Sequence, residues 1–192
     1  KQNNLIEKLT VFLRERYYQR FINLLISKRI DKQIKILDFG SGDGFLANQL
    51  IKNGYKNVFC CDFFKPIYEE ASINYFHPSS IIDYVGNFDV VFMLNSIEHL
   101  VSFSKDFNAI FKTMNNGSLL ILETPNIDSP DAYIFKKFWG GLHQPRHTYL
   151  WSKKSLIKHL SLWGFSSHNL GSPQSVHWAI SVQNIFSFYS RH

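Results

Sequence analysis

Cysteine is scarce in this chain of 192 residues: there are two, Cys60 and Cys61, and they are neighbours. Adjacent residues of an extended strand point to opposite faces, so the pair is poorly placed to bridge itself. That removes a disulfide framework and fits a reducing, cytoplasmic compartment. Long apolar runs are also missing. No stretch approaches the roughly eighteen uninterrupted apolar residues of a membrane span, and the start lacks the basic-then-apolar pattern of a signal peptide. There are no repeats, linkers or low-complexity segments. Nowhere does G-x-x-x-x-G-K-[ST] occur, which argues against ATP or GTP held by a P-loop. The chain opens on Lys1 rather than Met, so it reads as a piece of something longer, and a membrane-facing tail beyond His192 stays open.

What is present suffices for one ordinary domain and therefore one active site. Hydrophobic residues make up 45% and aromatics 16%, with 18 Phe, so a core is affordable and disorder is not expected. The formal net charge of +6 is concentrated at the start. Residues 1–35 hold nine lysines and arginines against three acids, and the other 157 residues carry twelve of each sign. The same segment places Leu5, Leu9, Leu13, Tyr17, Phe21 and Leu25 at steps of four, the spacing of an apolar face on a helix or helix pair. The favoured reading is a packed face and a solvated basic face. The alternative is a patch that meets anionic lipid or nucleic acid, which would make the protein peripheral at a membrane.

From Lys35 onward, short apolar runs alternate with helical stretches, the signature of βαβ units. Strands are expected over 34–39, 57–61, 72–76, 88–94, 118–123 and 165–170, with helices over 45–53, 103–114 and 153–163. A turn is expected at Asn115-Asn116-Gly117, and residues 176–189 fit a final strand or a helix equally well. The fold class is α/β: a Rossmann-like, doubly wound, mostly parallel sheet over 35–192 behind a basic helical extension over 1–34.

Chemistry enters where the first strand ends, at Asp38-Phe39-Gly40-Ser41-Gly42-Asp43-Gly44. In open α/β sheets ligands sit beyond the strand ends, where a glycine turn feeds a helix and the backbone can approach closely. Asp62 ends the next strand, twenty-two residues after Gly40, the distance at which a carboxylate accepts both hydroxyls of a ribose. An adenosine-type ligand follows. A dinucleotide site wants glycine at position 45, which is Phe45, so NAD and FAD lose ground.

Glycines at 40, 42 and 44, with Asp38 before and Asp62 behind, resemble the cofactor signature of class I S-adenosylmethionine (SAM) dependent methyltransferases, over 35 to about 170. The strand Phe88-Asp89-Val90-Val91-Phe92-Met93-Leu94 and the segment Asn95-Ser96-Ile97-Glu98-His99-Leu100 are similar to the ubiquinone-biosynthesis-like members. The resemblance implies SAM as cofactor and S-adenosylhomocysteine (SAH) as product. It puts Asp38, Gly40, Ser41 and Gly42 at the methionine end, Asp62 on the ribose, Phe63 against adenine, and Leu94 and Asn95 beside the methionine part. Relatives often carry Glu where this chain has Asn95, and some use that acid with the Glu-His pair around a divalent metal. The substitution argues against a metal here, and none is expected. Glu98 is either a residue of the site or an acid favoured by a helix's first turn.

After the fifth strand comes an insertion containing Phe138-Trp139-Gly140-Gly141-Leu142-His143-Gln144-Pro145-Arg146-His147. Loops at this sheet edge build acceptor sites. Pro145-Arg146-His147, a Ser-led helix and Gly-Phe also recur in the methyltransferase group. An acceptor oxygen must lose a proton as it attacks, and imidazole is a suitable base near neutral pH. His147 is the first choice, His143 the second, and Glu98 completes the candidate catalytic set. Against each histidine stands a purely loop-fixing role. Tyr17, Tyr18, Phe138, Trp139 and Tyr149 are candidate walls for the sulfonium cation, and Arg16 or Arg20 candidate partners of the methionine carboxylate.

The expected acceptor is a small molecule, methylated on a hydroxyl oxygen. Nucleic acid is disfavoured, because Asn95-Ser96-Ile97-Glu98 stands where amino-methylating DNA enzymes carry [DNS]-P-P-[YF] and no RNA-binding module is visible. A non-catalytic SAM-binding protein, an RNA methyltransferase and a lipid-linked acceptor remain as rivals.

Overall fold

The structure, a computed structural model, describes residues 2–68 and 73–165. In chain order these form α1 (Gln2–Ser27), β1 (Lys35–Phe39), α2 (Phe45–Lys52), β2 (Asn57–Cys61), β3 (Ile73–Phe76), β4 (Phe88–Leu94), α3 (Phe103–Lys112), β5 (Met114–Glu123), α4 (Pro130–Phe135) and α5 (Lys153–Leu162). Short 3-10 turns cover Pro78–Tyr84, Ile97–His99, Lys136–Phe138 and Gly140–Leu142. The chain divides into two compact units, one made of everything up to Leu94 plus Ser104–Leu122, the other of Asn95–Phe103 and the chain from Glu123.

The first unit is built on a five-stranded sheet in the order β3-β2-β1-β4-β5. The pairings β1–β2, β1–β4 and β2–β3 are parallel. Bonds from Phe88 N–H to Thr113 O and from Asn95 N–H to Glu123 O advance in the same sense, so β4 and β5 are parallel as well. The central strand explains itself. Ile36, Leu37 and Asp38 are consecutive buried residues, because a strand covered by helices on both faces has no solvent side and loses the usual alternation. Strand order reverses between β1 and β4, which places the crevice of an open α/β sheet at the end of β1. Phe21, Ile22 and Leu25 of α1, Leu46, Ala47 and Leu50 of α2, and Val58, Cys60, Val90 and Phe92 of the sheet share one core.

The second unit has its own anchors. Ser129 caps α4, accepting from Ala132 N–H, and Pro130 fills the first helical position, where a missing donor costs nothing. Buried Trp139 donates its indole N–H to buried Asp131 at 3.0 Å. Trp151, also buried, packs on Phe103 with ring centroids 4.9 Å apart. Ser152 and Ser155 form a reciprocal cap at the start of α5.

Most boundaries read from the sequence agree within a residue or two, and two readings are corrected. Asn115-Asn116-Gly117 is no turn: β5 begins at Met114 and runs through it. Of the two alternatives left open for the N-terminal segment, a helix or a helix pair, the structure has the single helix. Its row of leucines does not all pack, since Leu9 and Leu13 are more than half exposed while Phe21 and Leu25 are buried. A step of four residues advances the helical wheel by about 40°, so four steps carry the row about 160° around the helix and off the packed face. The expected strand over 165–170 and the ambiguous stretch over 176–189 fall almost wholly outside the described residues.

Candidate cofactor and acceptor sites

The glycine turn after β1 needs its glycines for conformation. Gly40, Gly42 and Gly44 all have positive φ (74°, 55° and 82°), a region that L side chains rarely adopt. The turn is pinned to β2 by the Gly40 N–H, which donates to Cys61 O at 2.8 Å. Asp62 closes it from the other side: one carboxylate oxygen accepts Gly42 N–H at 2.8 Å and the other accepts Phe63 N–H at 2.7 Å. The first of these oxygens keeps a lone pair for an incoming hydroxyl, while the second also takes a long bond from Phe64 N–H at 3.5 Å. Tyr75 steadies this corner, donating its hydroxyl to the Asp62 carbonyl at 3.0 Å.

Asp38 is 3% exposed. Burial, followed by the nearby charges of Asp62 and Asp43, pushes its carboxyl up to about 7. A buried carboxyl in that state is a poor structural element and a good receptor for a cation, which restores its charge. Cys60 and Cys61 are free and buried; burial drives both thiols upward, Cys61 to about 12, so they are inert.

Arg14 is the residue of this site that composition and spacing did not reveal. Its two terminal nitrogens reach both carboxylate oxygens of Asp43, at 2.6 and 2.5 Å, and its guanidinium lies 4.2 Å from the Phe45 ring centroid. Burial opposes the charge of Asp43, but the Arg14 hydrogen bond and charge outweigh it and hold the carboxyl below its ordinary range. The bulky Phe45 that spoils a dinucleotide turn is thus the platform on which a helix 29 residues upstream grips the turn. Arg16 and Arg20 do otherwise: Arg16 lies over Phe12, and Arg20 over Tyr17 and Phe21.

Phe63 is 69% exposed and meets His77 in a T-shaped ring contact at 5.4 Å. Leu94 is half-buried at the end of β4, and Asn95 follows it, exposed, with φ of 52°. Asparagine tolerates that left-handed conformation better than glutamate does.

The second unit gathers the candidate catalytic residues. Glu98, in the 3-10 turn, is 1% exposed, unlike a solvated first-turn acid. Its Oε2 accepts from Thr124 Oγ1 at 2.9 Å, and its Oε1 is buried with no hydrogen-bond partner among the described residues. Burial pushes its carboxyl up. Its backbone carbonyl accepts from Thr148 N–H at 2.8 Å and Thr148 Oγ1 at 2.9 Å, tying the turn to the loop that carries His147.

The Nδ1 of His147 lies 2.7 Å from Gly141 O, and the Nδ1 of His99 lies 2.9 Å from Arg146 O. A carbonyl only accepts, so each ring donates from Nδ1. The His99 and His147 ring centroids are 4.8 Å apart, and His143, exposed with φ of 33°, is 5.1 Å from His147. Glu98, His99 and His147 each present a ligand atom, all within 4.8 Å of one another. Sequence spacing drew attention to His143 with His147; the structure brings His99 to the cluster, from the segment adjoining Glu98. Of the aromatic candidates, Trp139 is committed to Asp131, and the Tyr149 hydroxyl accepts Phe103 N–H at 3.2 Å.

The family model described as a methyltransferase domain matches residues 12–169. Magnesium protoporphyrin IX methyltransferase from Synechocystis PCC 6803, solved with bound SAH, has 18% identity over 82% of this chain and 76% of its own, at a TM-score of 0.60. A SAM dependent methyltransferase from Archaeoglobus fulgidus has 18% identity over 93% of this chain and 91% of its own, at 0.57. The [4+2]-cyclase SpnF has 12% identity over 88% of this chain and 66% of its own, at 0.61. No curated protein matches significantly.

Proposed function

The chain belongs to the methyltransferase-domain family, and from that premise we propose that it transfers the methyl group of SAM to a hydroxyl oxygen of a small molecule, releasing SAH. The cofactor supplies an activated sulfonium methyl, and the protein's task is binding, alignment and proton removal. Asp62 takes the ribose hydroxyls, Phe63 offers its exposed ring to adenine, and the glycine turn with Asp38 takes the cationic methionine end, flanked by Leu94 and Asn95. The observation that carries this is Asp38: a carboxyl buried beside a glycine turn, with acids and no partner cation around it among the described residues. The helical segment 1–34 serves the domain of 35–192 through Arg14, and the protein works in the cytoplasm.

His147 is the base. Its Nδ1–H is held by Gly141 O, so Nε2 can accept the acceptor's proton as the oxygen–methyl bond forms and the sulfur–methyl bond breaks. His143, its exposed neighbour, is the second choice, and Glu98 orients the loop through Thr148. The test is SAH release with simple phenols and sugars as acceptors. His147→Ala is expected to lower turnover by about 10²-fold or more, with SAH affinity unchanged. Cofactor binding without turnover on any hydroxyl acceptor would favour a non-catalytic role, a live outcome because this fold also houses a cyclase.

One observation favours a second reading. Histidines that ligate metals usually donate their other ring nitrogen to a carbonyl or carboxylate, as His99 and His147 do, beside the buried, unsatisfied Glu98 Oε1. A divalent cation on these three residues would polarise the acceptor oxygen and make His147 a ligand instead of a base. Chelation separates the two: loss of turnover restored by a divalent cation, with His99→Ala as damaging as His147→Ala, supports the metal, and turnover indifferent to chelator supports the base.

A further inference from the structure

His77 leaves the sheet beside Asp62. The pairing of β2 with β3 ends at Cys61 and Phe76, and the next residues of the two strands are Asp62 and His77. Neighbouring strands lie about 4.8 Å apart, so the two stand side by side at the carboxyl edge of the sheet, where ligands of open α/β folds bind. Tyr75, two residues before His77, ties these strand ends together by donating its hydroxyl to the Asp62 carbonyl at 3.0 Å. The exposed imidazole meets Phe63, with ring centroids 5.4 Å apart and planes at 79°.

The tautomer of this ring is fixed locally. Ser79 N–H donates to His77 Nδ1 at 3.2 Å, and Ser79 Oγ lies 2.9 Å from the same atom. The contact caps the 3-10 turn Pro78–Tyr84. A nitrogen that accepts carries no proton, so the proton of the ring sits on Nε2. Among the described residues the ring bonds only to Ser79, and its Nε2–H is uncommitted. A cap needs one acceptor atom, which Ser, Asp or Asn supplies. The imidazole adds a donor on the far side of the ring, next to Phe63 and Asp62.

We propose that His77 reads the base of the cofactor: its Nε2–H donates to an acceptor nitrogen of adenine, with the base against Phe63 and the ribose on Asp62. The assignment rests on the reading of Asp62 and Phe63 as the adenosine contacts. Polarity selects the partner atom. The amino group of adenine donates and its unsubstituted ring nitrogens accept, so a side chain offering a donor must find a ring nitrogen. Stacking on Phe63 is blind to the base, since every base has a π-face, and the ribose hydroxyls are common to all ribonucleosides. Of Asp62, Phe63 and His77, the histidine is therefore the group that tells adenine from another base.

The test is isothermal titration with SAH and its 1-deaza, 3-deaza and 7-deaza analogues, each lacking one ring acceptor, on wild type, His77→Ser and Phe63→Ala. Serine keeps the cap and removes the ring, and an unchanged melting temperature shows the fold intact. Wild type is expected to bind one of the three analogues about tenfold more weakly than SAH, because the donor loses its acceptor. His77→Ser should lose about tenfold on SAH and bind that same analogue as well as it binds SAH, a loss of discrimination that a purely structural cap would not cause. Phe63→Ala should weaken all four ligands alike and leave the ratio between them in place. Wild type that binds SAH and the three analogues equally, or a discrimination that survives His77→Ser, would overturn the role of His77 and leave the cofactor reading standing. Wild type that binds no SAH would overturn both.

Discussion

Replacing Asp38 with asparagine should strengthen the fold and abolish its ligand binding. The carboxyl is almost fully buried, and its pKa stands at about 7 in place of 3.8 because burial and the charges of Asp62 and Asp43 disfavour ionisation. An unfolded chain releases this proton near pH 4 and the native chain near pH 7, so between those values the native state binds more protons. Stability therefore falls as pH rises from 4 to 7 and levels off above 7. At about 1.4 kcal/mol per pH unit the cost to the apo protein above pH 7 is at most about 4 kcal/mol. Asp38→Asn removes it. Urea unfolding at pH 8 should show the variant more stable than wild type, with the gap closing by pH 4. Binding should move the opposite way. A cationic methionine amine favours the carboxylate, so wild-type affinity for SAH should weaken towards tenfold per pH unit as pH falls below 7, with close to one proton released on binding at pH 6. Asp38→Asn should bind poorly at every pH. An Asp38→Asn protein no more stable than wild type at pH 8, together with SAH affinity flat from pH 5.5 to 8.5, would refute the reasoning.

Two glycines of the turn should fail in different ways. A Cβ on Gly44 would stand 2.6 Å from Pro66 Cβ at a φ of 82°, so Gly44→Ala should cost about 2–4 kcal/mol in urea unfolding. A Cβ on Gly42 meets nothing within 4 Å, so Gly42→Ala should cost only about 1–2 kcal/mol from its positive φ, yet lose SAH affinity on titration because the methyl occupies the ligand's approach. Arg14→Ala should lower stability by about 1–2 kcal/mol, and Arg14→Lys should restore little of it, since an ammonium cannot span both Asp43 oxygens; a double-mutant cycle with Asp43→Asn measures the pair directly.

The sheet was legible because its signals are local. Apolar runs and a glycine turn at the end of β1 report on residues near one another in sequence, and they place Asp38 and Asp62 correctly at adjacent strand ends. What was not legible depends on long-range pairing. Arg14 meets Asp43 across 29 residues, and no periodicity links them. His99 and His147 meet because Thr148 bonds the Glu98 carbonyl, a contact that no H-x-x-x-H spacing encodes. The leucine row of α1 misled for a geometric reason, since spacing by four drifts around a straight helix and only its last members face the core. Asn115-Asn116-Gly117 has turn composition, but the pairing that begins around Thr113 carries β5 through it. Tertiary pairing overrode the local preference.

Isothermal titration with SAM and SAH, on wild type and Asp62→Ala, tests the central assignment most directly. Micromolar binding of both ligands, weakened by about tenfold or more in Asp62→Ala, is the predicted result, equal to about 1.4 kcal/mol for the ribose contact. Well-folded protein that binds neither ligand would contradict the account at its base.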